Sequence, residues 1–470
     1  MLQRGEELSL KILDSAFEGK SVARHGELVI FVEGGVPGDV ATVRITKSKK
    51  NFAEAKVIKI ETPSTLRVDP PCMYFGVCGG CKWQQVDYAA QLRFKQQHVT
   101  DAFERIGCFS NPAVLPILGS DECFFYRGKM EYSFADQQWI WDGMPAALSP
   151  VPVFLGLHVP QRYDKVLDIR ECLLQSEGSN KILNFTRTFA QRAGQTVYDS
   201  DAESGYLRFL VIREGKRTKE VMVNLVTFSD DPETMQKYTT ALLEECPFVT
   251  TVVNTINTRK AQIAFGETER VYHGAGIIHD MIGAYRFDIS AGSFFQTNTI
   301  QAEKLYTAVK EFGAFKPADI VYDLYSGTGS IGIFLSGSVQ SVIGIESVES
   351  AIRDAERNAQ ENGVTNCTFI LGDLKDRLTK DKEWMARFPK PDVMVIDPPR
   401  SGMHPKVVEE IIGLAPERIV YVSCNPATQA RDAQLLCAER YNLEKLQPVD
   451  MFPHTFHIEN VALFKKSGER

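Results

Sequence analysis

The segment Ile320–Gly332 (IVYDLYSGTGSIG) decides the fold class of this 470-residue chain. Its first part, Ile320–Asp323, is an apolar strand that ends in an acid, and the glycines that follow have the spacing G-x-G-x-x-G. Glycine permits a tight turn between a strand and a helix and lets a ligand approach the backbone closely. Because the same spacing also occurs in turns that bind nothing, the neighbouring sequence has to decide its meaning.

Strand-like and helix-like segments alternate after residue 291, which is typical of βαβ units and a doubly wound parallel sheet. The predicted strand Val342–Glu346 ends in a carboxylate that can accept both hydroxyls of a ribose. Asp373 ends a third predicted strand, where an adenine amino group would lie. The pattern predicts an α/β, Rossmann-like domain over residues 291–470 that binds either a dinucleotide or S-adenosylmethionine.

Two more predicted strands end in residues suited to chemistry. Asp397–Arg400 (DPPR) follows the first of these strands, and its prolines hold the backbone stiffly. Cys424–Pro426 (CNP) follows the second strand. Ligand sites of open parallel sheets lie at the carboxyl ends of the strands, so both segments should face one crevice. Most single cysteines are small buried hydrophobes, but this position favours a nucleophile for Cys424, since thiolates attack electron-poor carbon well.

Composition and charge exclude several classes of protein. The chain is 44% hydrophobic and 24% charged, as expected for a folded protein. No apolar segment approaches the ~20 residues that span a bilayer, and the N-terminus lacks a secretion signal. We therefore expect a soluble, cytoplasmic protein with no membrane contact, and a monomer. The net charge of −7 disfavours a global nucleic-acid-binding surface.

Local charge and patterning differ in the N-terminal part. Residues 40–60 carry six basic residues and one acid, which suits either a lysine-protected strand edge or contacts to phosphates. Short strands separated by turns predict a small β-barrel over residues 1–61, with a boundary at Thr62–Ser64. Residues 62–290 predict a mixed α/β domain that includes an amphipathic helix from Tyr88 to Ile106.

Three of the ten cysteines crowd together in the pattern Cys72-x5-Cys78-x2-Cys81. Disulfides are unusual in the cytosol, so this spacing indicates a metal site. A [4Fe–4S] cluster takes four thiolates, and zinc also suits a set of four cysteines. Radical S-adenosylmethionine enzymes use a C-x3-C-x2-C loop instead, which this spacing does not match.

Five segments resemble the catalytic domain of the RNA uracil-C5 methyltransferases. They are SFFQTN at 293–298, DLYSGTG at 323–329, DPPR at 397–400, SCNP at 423–426 and HTFHIE at 454–459. The N-terminal barrel resembles a TRAM domain, an RNA-binding barrel related to OB-folds. The cysteine loop resembles the iron–sulfur site of the ribosomal-RNA members. The family usually has cysteine where this chain has Ser326.

The resemblance implies a function and a set of site residues. Cys424 attacks C6 of the uracil, and Glu459 removes the proton from C5. The cofactor contacts are Gln296, Tyr325, Glu346 and Asp397, with Ser330 and Asp373 as additions. Cys172 is the fourth cluster ligand, after Cys72, Cys78 and Cys81. Phe294 stacks on the extruded base, and Arg127 and Lys129 are RNA contacts.

The substrate that the resemblance implies is 23S ribosomal RNA, because transfer-RNA members generally lack the cysteines. Three alternatives stay open at this point. The protein could methylate transfer RNA, it could be an RNA-binding protein without activity, or it could be a nicotinamide oxidoreductase. Intact Cys424 and Glu459 argue against the second, and the third leaves the DPPR segment and Cys424 without a role.

Overall fold

The N-terminal strands close into a barrel in the order β1-β2-β3-β5-β4. The structure is a computed structural model that describes residues 2–141, 152–160, 162–379 and 387–468. Inward-facing apolar side chains such as Ile30 and Val43 fill the barrel, as the predicted small barrel requires. The strands are β1 (Glu7–Ser15), β2 (Ser21–His25), β3 (Leu28–Glu33), β4 (Val40–Ser48) and β5 (Phe52–Thr62).

The six basic side chains between residues 40 and 60 are all exposed on β4, β5 and their connecting turn. Acids of the barrel balance part of this charge. Arg44 lies 2.8 Å from Glu7, and Lys47 lies 3.2 Å from Glu54. The remaining lysines leave a solvent-facing basic surface on the barrel.

The middle of the chain forms a second sheet in the order β12-β11-β10-β9-β6-β7-β8, beside a hairpin of β13 and β14. The predicted strand that starts at Val151 is observed as β7, and Val151 itself lies outside the described residues. The strands are β6 (Lys129–Ala135), β7 (Phe154–Val159), β8 (Arg162–Asp168), β9 (Leu207–Glu214), β10 (Val221–Thr227), β11 (Thr251–Ile256), β12 (Thr268–His273), β13 (Ile277–Ile282) and β14 (Tyr285–Ser290). Their helices are α1 (Tyr88–Arg105), α2 (Glu177–Arg192) and α3 (Pro232–Glu245).

The C-terminal sheet has the order β17-β16-β15-β18-β19-β21-β20. Its strands are β15 (Ile320–Leu324), β16 (Ser341–Glu346), β17 (Cys367–Leu371), β18 (Val393–Ile396), β19 (Arg418–Ser423), β20 (Tyr441–Val449) and β21 (Glu459–Lys466). Its helices are α4 (Thr299–Gly313), α5 (Ser330–Leu335), α6 (Glu349–Glu361), α7 (Leu374–Thr379), α8 (Pro405–Leu414) and α9 (Pro426–Glu439). The five strands β15 to β19 are parallel, and β21 runs antiparallel to both of its neighbours.

This sheet is the predicted Rossmann-like fold. Apolar clusters cover both of its faces, which explains why its strands read as continuous apolar runs. The strand order reverses between β15 and β18, and ligands of open α/β sheets bind outside the carboxyl ends at such a reversal. The glycine loop after β15 and Asp397 after β18 therefore flank the expected binding crevice.

Helix α1 belongs to the middle of the chain but packs on the C-terminal sheet. Asp87 caps its start by accepting a hydrogen bond from Ala90 N (3.2 Å). Val99 and Phe103 are fully buried in the same apolar cluster as Tyr441 of β20. The predicted helix is thus confirmed, although Ile106 follows its last residue and is exposed. Within the described ranges, no helix has the length and apolar character that crossing a membrane requires.

Candidate active site

The glycine loop makes the tight turn that its sequence predicts. Tyr325, Gly327 and Gly329 have positive φ angles of 63°, 53° and 73°. A Cβ atom at Gly329 would lie 2.7 Å from the Phe369 ring, so this position requires glycine for space as well as for conformation. The turn connects the end of β15 to the start of α5.

Glu346 at the end of β16 faces this loop. Its carboxylate accepts hydrogen bonds from the backbone N–H groups of Gly327 (3.1 Å), Ser347 (2.7 Å) and Val348 (2.9 Å). Glu346 lines a cavity of about 420 Å³ together with two other predicted cofactor residues, Tyr325 and Asp373. The structure thus brings together three of the six predicted contacts around a space open to a ligand.

The other three predicted contacts lie near Tyr306 of α4. The Tyr306 hydroxyl lies 2.7 Å from Ser330 Oγ. Burial raises the Tyr306 pKa, the nearby Asp397 and Asp323 raise it further, and hydrogen bonds from Ser330 and Gln296 oppose them. Nothing in the sequence distinguishes Tyr306 from an ordinary core aromatic residue of an amphipathic helix, so sequence reasoning missed it.

Two buried carboxyl groups stand at the base of the crevice. Burial raises the pKa of Asp397 to about 7, and burial together with the charge of Asp397 raises the pKa of Asp323 to about 7. Asp323 Oδ2 accepts a hydrogen bond from Gly332 N (3.1 Å), which ties β15 to the start of α5. A cationic ligand would favour the ionised form of both groups.

Cys424 and Glu459 lie at adjacent ends of neighbouring strands. The antiparallel pairing of β19 and β21 ends with Ser423 opposite Asn460, so the next residues outward are Cys424 and Glu459. Asn425 caps α9 by accepting a hydrogen bond from Ala427 N (3.1 Å), which fixes the turn that carries the thiol. The resemblance assigned Cys424 and Glu459 to two steps of one reaction, and the strand register places the two residues side by side.

Burial and nearby charges shift the pKa values of both groups in this pair. Burial and the charges of Glu459 and Asp397, opposed by Arg400, together raise the Cys424 pKa to about 11. Burial and Asp397 hold the Glu459 pKa well above its ordinary range, again opposed by Arg400. Cys424, Glu459 and Asp397 therefore share one partly desolvated site, in which the positive charge of Arg400 opposes theirs.

Arg400 is the residue of this site whose role sequence reasoning missed, although its segment was identified. Its Nη2 donates a hydrogen bond to His457 Nδ1 (2.9 Å), and its carbonyl accepts one from Asn425 Nδ2 (3.0 Å). Arg400 therefore bridges the turn after β18, the turn after β19 and the segment before β21.

The cysteines and the predicted RNA contacts line one further cavity of about 380 Å³. Phe294 is 69% exposed at this cavity. Arg127 Nε donates a hydrogen bond to the Lys129 carbonyl (2.9 Å), and Lys129 Nζ lies 2.5 Å from Glu131. The predicted residues that line the cavity are Cys72, Cys78, Cys81, Cys172, Phe294, Arg127 and Lys129.

The four thiols are close enough to interact electrostatically. Burial, with a smaller contribution from neighbouring thiols, raises the pKa of Cys78 and Cys81 to about 12. In the described part of the chain, no group of three or more His, Cys, Asp or Glu side chains is arranged to hold a metal ion.

Comparison with known proteins agrees with this geometry. The family model described as tRNA (Uracil-5-)-methyltransferase matches residues 218–467, and a TRAM domain model matches residues 2–58. An uncharacterized RNA methyltransferase of Porphyromonas gingivalis is 43% identical, with 98% of this chain and 100% of that protein covered. Another, of Chlorobaculum tepidum, is 42% identical, with coverage of 99% and 97%.

Among solved structures, the Pyrococcus abyssi tRNA (uracil-54, C5)-methyltransferase in complex with S-adenosyl-L-homocysteine aligns with a TM-score of 0.74. It is 29% identical, and the alignment covers 97% of this chain and 99% of that one. The similarity therefore extends over the barrel, the middle sheet and the C-terminal sheet.

The parallel sheet, the glycine loop and the acid at the end of β16 form a Rossmann-like cofactor-binding domain, and the comparisons identify it as that of an S-adenosylmethionine-dependent methyltransferase. The chain belongs to the RNA uracil-C5 methyltransferase family and carries an N-terminal TRAM domain. Family membership decides between the two nucleotides that the glycine loop left open, in favour of S-adenosylmethionine. It also removes the oxidoreductase alternative.

Proposed function

We propose that this protein transfers a methyl group from S-adenosylmethionine to C5 of a specific uridine in 23S ribosomal RNA through a covalent Cys424–C6 adduct. The observation that carries the proposal is the adjacency of Cys424 and Glu459 across the β19–β21 pair. The reaction needs a nucleophile and a base on one substrate ring, and these side chains are a thiol and a carboxylate at one end of the sheet.

The chemistry follows from the weak nucleophilicity of uracil C5. Cys424 sulfur bonds to C6, and the electron pair of the C5–C6 double bond moves to C5. C5 takes the methyl group that S-adenosylmethionine supplies from its sulfonium. Glu459 then removes the proton from C5, the double bond re-forms, and Cys424 leaves as a thiolate. A general base must reach its proton within hydrogen-bond distance, which assigns this step to the carboxylate nearest the thiol.

The cofactor contacts divide by position. Tyr325, Glu346 and Asp373 line the cavity beside the glycine loop and would hold the adenosine, with Glu346 on the ribose hydroxyls. Gln296, Ser330 and Asp397 lie around Tyr306, and Asp397 also interacts with Cys424. The Asp397 carboxylate there would complement the positive sulfonium.

The RNA must present an unstacked uridine, because C5 and C6 are inaccessible inside a stacked helix. The exposed ring of Phe294 suits stacking on an extruded base. Arg127 and Lys129 line the same cavity, and the basic surface of the barrel supplies further cations for phosphates. Local rather than global positive charge thus accounts for RNA binding by an acidic protein.

We further propose a [4Fe–4S] cluster bound by Cys72, Cys78, Cys81 and Cys172. The support is the shared cavity and the chemistry of four thiols whose pKa values burial raises. A bound metal would offset the free-energy cost of ionising these thiols, because a coordinating thiol is deprotonated. The cluster would connect the cysteine loop to the segment after β8 that carries Cys172. Its role would be structural.

The choice of RNA rests on these cysteines, which the resemblance assigns to ribosomal-RNA enzymes. Transfer RNA is the second candidate substrate, and one observation favours it. The solved relative that aligns over nearly the whole chain is a tRNA (uracil-54, C5)-methyltransferase.

The test is transfer of labelled methyl from S-adenosylmethionine to unmodified 23S ribosomal RNA and transfer RNA in parallel reactions, followed by nucleoside analysis. We expect 5-methyluridine in the ribosomal RNA alone. Product in transfer RNA alone would keep the reaction and refute the proposed substrate. No product in either, with cofactor bound, would refute the proposed reaction.

A further inference from the structure

His454 has an unusual backbone conformation close to the proposed base. It lies between β20 and β21, five residues before Glu459, and it is buried, with a φ angle of 65°. A residue other than glycine keeps a left-handed backbone only where its surroundings impose it, and such residues concentrate at functional sites. The contacts of His454 show what imposes it here.

Both backbone polar groups of His454 are held by the N-terminal half of the chain. Its carbonyl accepts hydrogen bonds from Lys82 N (2.9 Å) and Trp83 N (3.0 Å). Its N–H donates to Gln91 Oε1 (2.9 Å), and the ring stacks on Phe124 with 4.3 Å between centroids. We call the contacts of His454 with Lys82, Trp83 and Gln91 the backbone clamp.

Gln91 is the centre of this clamp. It is fully buried on α1, and its Nε2 donates to the carbonyls of Trp83 (3.0 Å) and Val86 (2.9 Å) and lies 3.2 Å from His454 Nδ1. One side-chain amide therefore connects the loop after Cys81, helix α1 and the segment before β21.

The chain between His454 and Glu459 has little freedom. The Thr455 hydroxyl accepts a hydrogen bond from His457 N (3.2 Å), His457 Nδ1 accepts one from Arg400 (2.9 Å), and Ile458 is buried. A change of backbone direction at His454 would therefore be carried to Glu459 rather than absorbed between them.

The imidazole itself has no chemical role at this point. His454 Nε2 is buried without a hydrogen-bond partner in the described part of the chain, and burial lowers the His454 pKa to about 4. The ring is therefore neutral at physiological pH. What His454 contributes is its backbone direction.

We propose that His454 is a positioning residue, whose left-handed backbone, held by the backbone clamp, aims Glu459 at the C5 proton of the substrate. This inference rests on the proposed function and adds to it. Cys424 directly follows β19, whereas Glu459 begins β21 after the clamped segment. Loosening the clamp should thus slow proton removal from C5 and spare the attack on C6.

The experiment separates these two steps with the full-length protein, S-adenosylmethionine and a mixture of unmodified 23S ribosomal RNA and transfer RNA transcripts. Adduct is measured on denaturing gels and 5-methyluridine by nucleoside analysis. A second set of transcripts contains 5-fluorouridine. Its C5 carries fluorine in place of the removable proton, so after methyl transfer the double bond cannot re-form and Cys424 cannot leave. The adduct then persists whatever the state of Glu459, and it reports the attack on C6 together with the methyl transfer, without the proton removal.

The first variant is Gln91→Leu, with Gln97→Leu on the exposed side of the same helix as its matched control. We expect Gln91→Leu to form the fluorinated adduct within about twofold of wild type. On ordinary RNA it should make product at least tenfold more slowly and accumulate adduct. Gln97→Leu should match wild type in both assays. Equal loss in both steps for Gln91→Leu would indicate general damage to packing and overturn the inference.

A second pair of variants tests the backbone directly. His454→Gly keeps access to a positive φ angle, whereas His454→Val does not, since a β-branched residue is strained there. We expect product formation by His454→Val to be at least tenfold slower than by His454→Gly. Equal rates would overturn the inference. Absence of any fluorinated adduct with wild-type protein would instead refute the covalent mechanism itself, so the two failures are distinguishable.

Discussion

Lys95 and Asp450 form a fully buried ion pair, with 2.6 Å between Nζ and Oδ1, although 355 residues separate them in the chain. Lys95 also donates a hydrogen bond to the Phe452 carbonyl (3.0 Å), and the Tyr88 hydroxyl donates one to Asp450 Oδ2 (2.9 Å). Helix α1 is thereby attached to the chain segment that leads to Glu459, so a helix from the middle of the chain supports the catalytic end of the sheet.

Removing Lys95 should strongly destabilise the protein. In Lys95→Met the Asp450 carboxylate stays buried without its cation, which costs about 3–5 kcal/mol. Denaturant unfolding measures the loss. Lys237→Met is the control, because Lys237 pairs with Glu233 at the surface and exposed pairs contribute about 1 kcal/mol or less. Equal stability of the two variants would contradict a structural role for the buried pair.

Cys424→Ala should abolish methylation and adduct formation, since no other group at the site can attack C6. Labelled RNA on a denaturing gel measures the adduct, and methyl transfer measures product. Cys437→Ala, at a partly buried cysteine of α9 outside the site, should retain activity. Full activity in Cys424→Ala would refute the mechanism.

Glu459→Gln should trap the adduct on ordinary RNA, because the amide cannot take the C5 proton. It should also alter the pH dependence of adduct formation. Glu459 raises the Cys424 pKa, so its removal lowers that pKa and increases the thiolate fraction at a given pH.

The pH profile follows from the sign of these shifts. With a Cys424 pKa of about 11, the thiolate fraction in wild type grows about tenfold per pH unit at lower pH, and the thiolate is the nucleophile. The rate of adduct formation on 5-fluorouridine RNA should therefore rise with pH. Glu459→Gln should reach a given rate at a lower pH than wild type. Coincident profiles would contradict the electrostatic coupling of the pair.

Glu346→Gln should weaken cofactor binding. Hydrogen bonds to a charged group contribute about 1.5–3 kcal/mol, which corresponds to roughly 10- to 100-fold in affinity. Calorimetric titration with S-adenosylhomocysteine measures the change. Glu349→Gln lies three residues further on at the exposed start of α6, where Glu349 pairs with Arg353, and should bind normally. An unchanged affinity in Glu346→Gln would remove Glu346 from the site.

Cys172→Ser should lower the iron and acid-labile sulfide bound by protein prepared without oxygen. Metal analysis and visible absorption measure the cluster. Cys108→Ser alters an exposed cysteine far from the cysteine loop in sequence and should keep the wild-type content. Folded wild-type protein that holds neither iron nor sulfide would refute the cluster. If such protein contained one zinc per chain, zinc would be the metal of the site.

The sequence predicted the elements whose signals are local. The alternation of apolar strands with helices after residue 291, the glycine spacing and the acid at Glu346 were sufficient for the Rossmann-like sheet. The cysteine spacing was sufficient to mark the loop at residues 72–81, and the resemblance named Cys424 and Glu459. Each of these features lies within a short stretch of chain, where periodicity and turn chemistry carry the information.

Only the tertiary structure decided which of these segments meet. Lys95 and Gln91 look in the sequence like polar residues of an amphipathic helix, yet both are fully buried against the segment before β21. Tyr306 looks like a core residue, yet its hydroxyl meets Ser330 beside the crevice. Burial of a polar group requires a partner, and the partners of Lys95 and Gln91 lie 355 and 363 residues away in the chain. Local sequence therefore determined the parts of this enzyme, and long-range packing determined which of them meet.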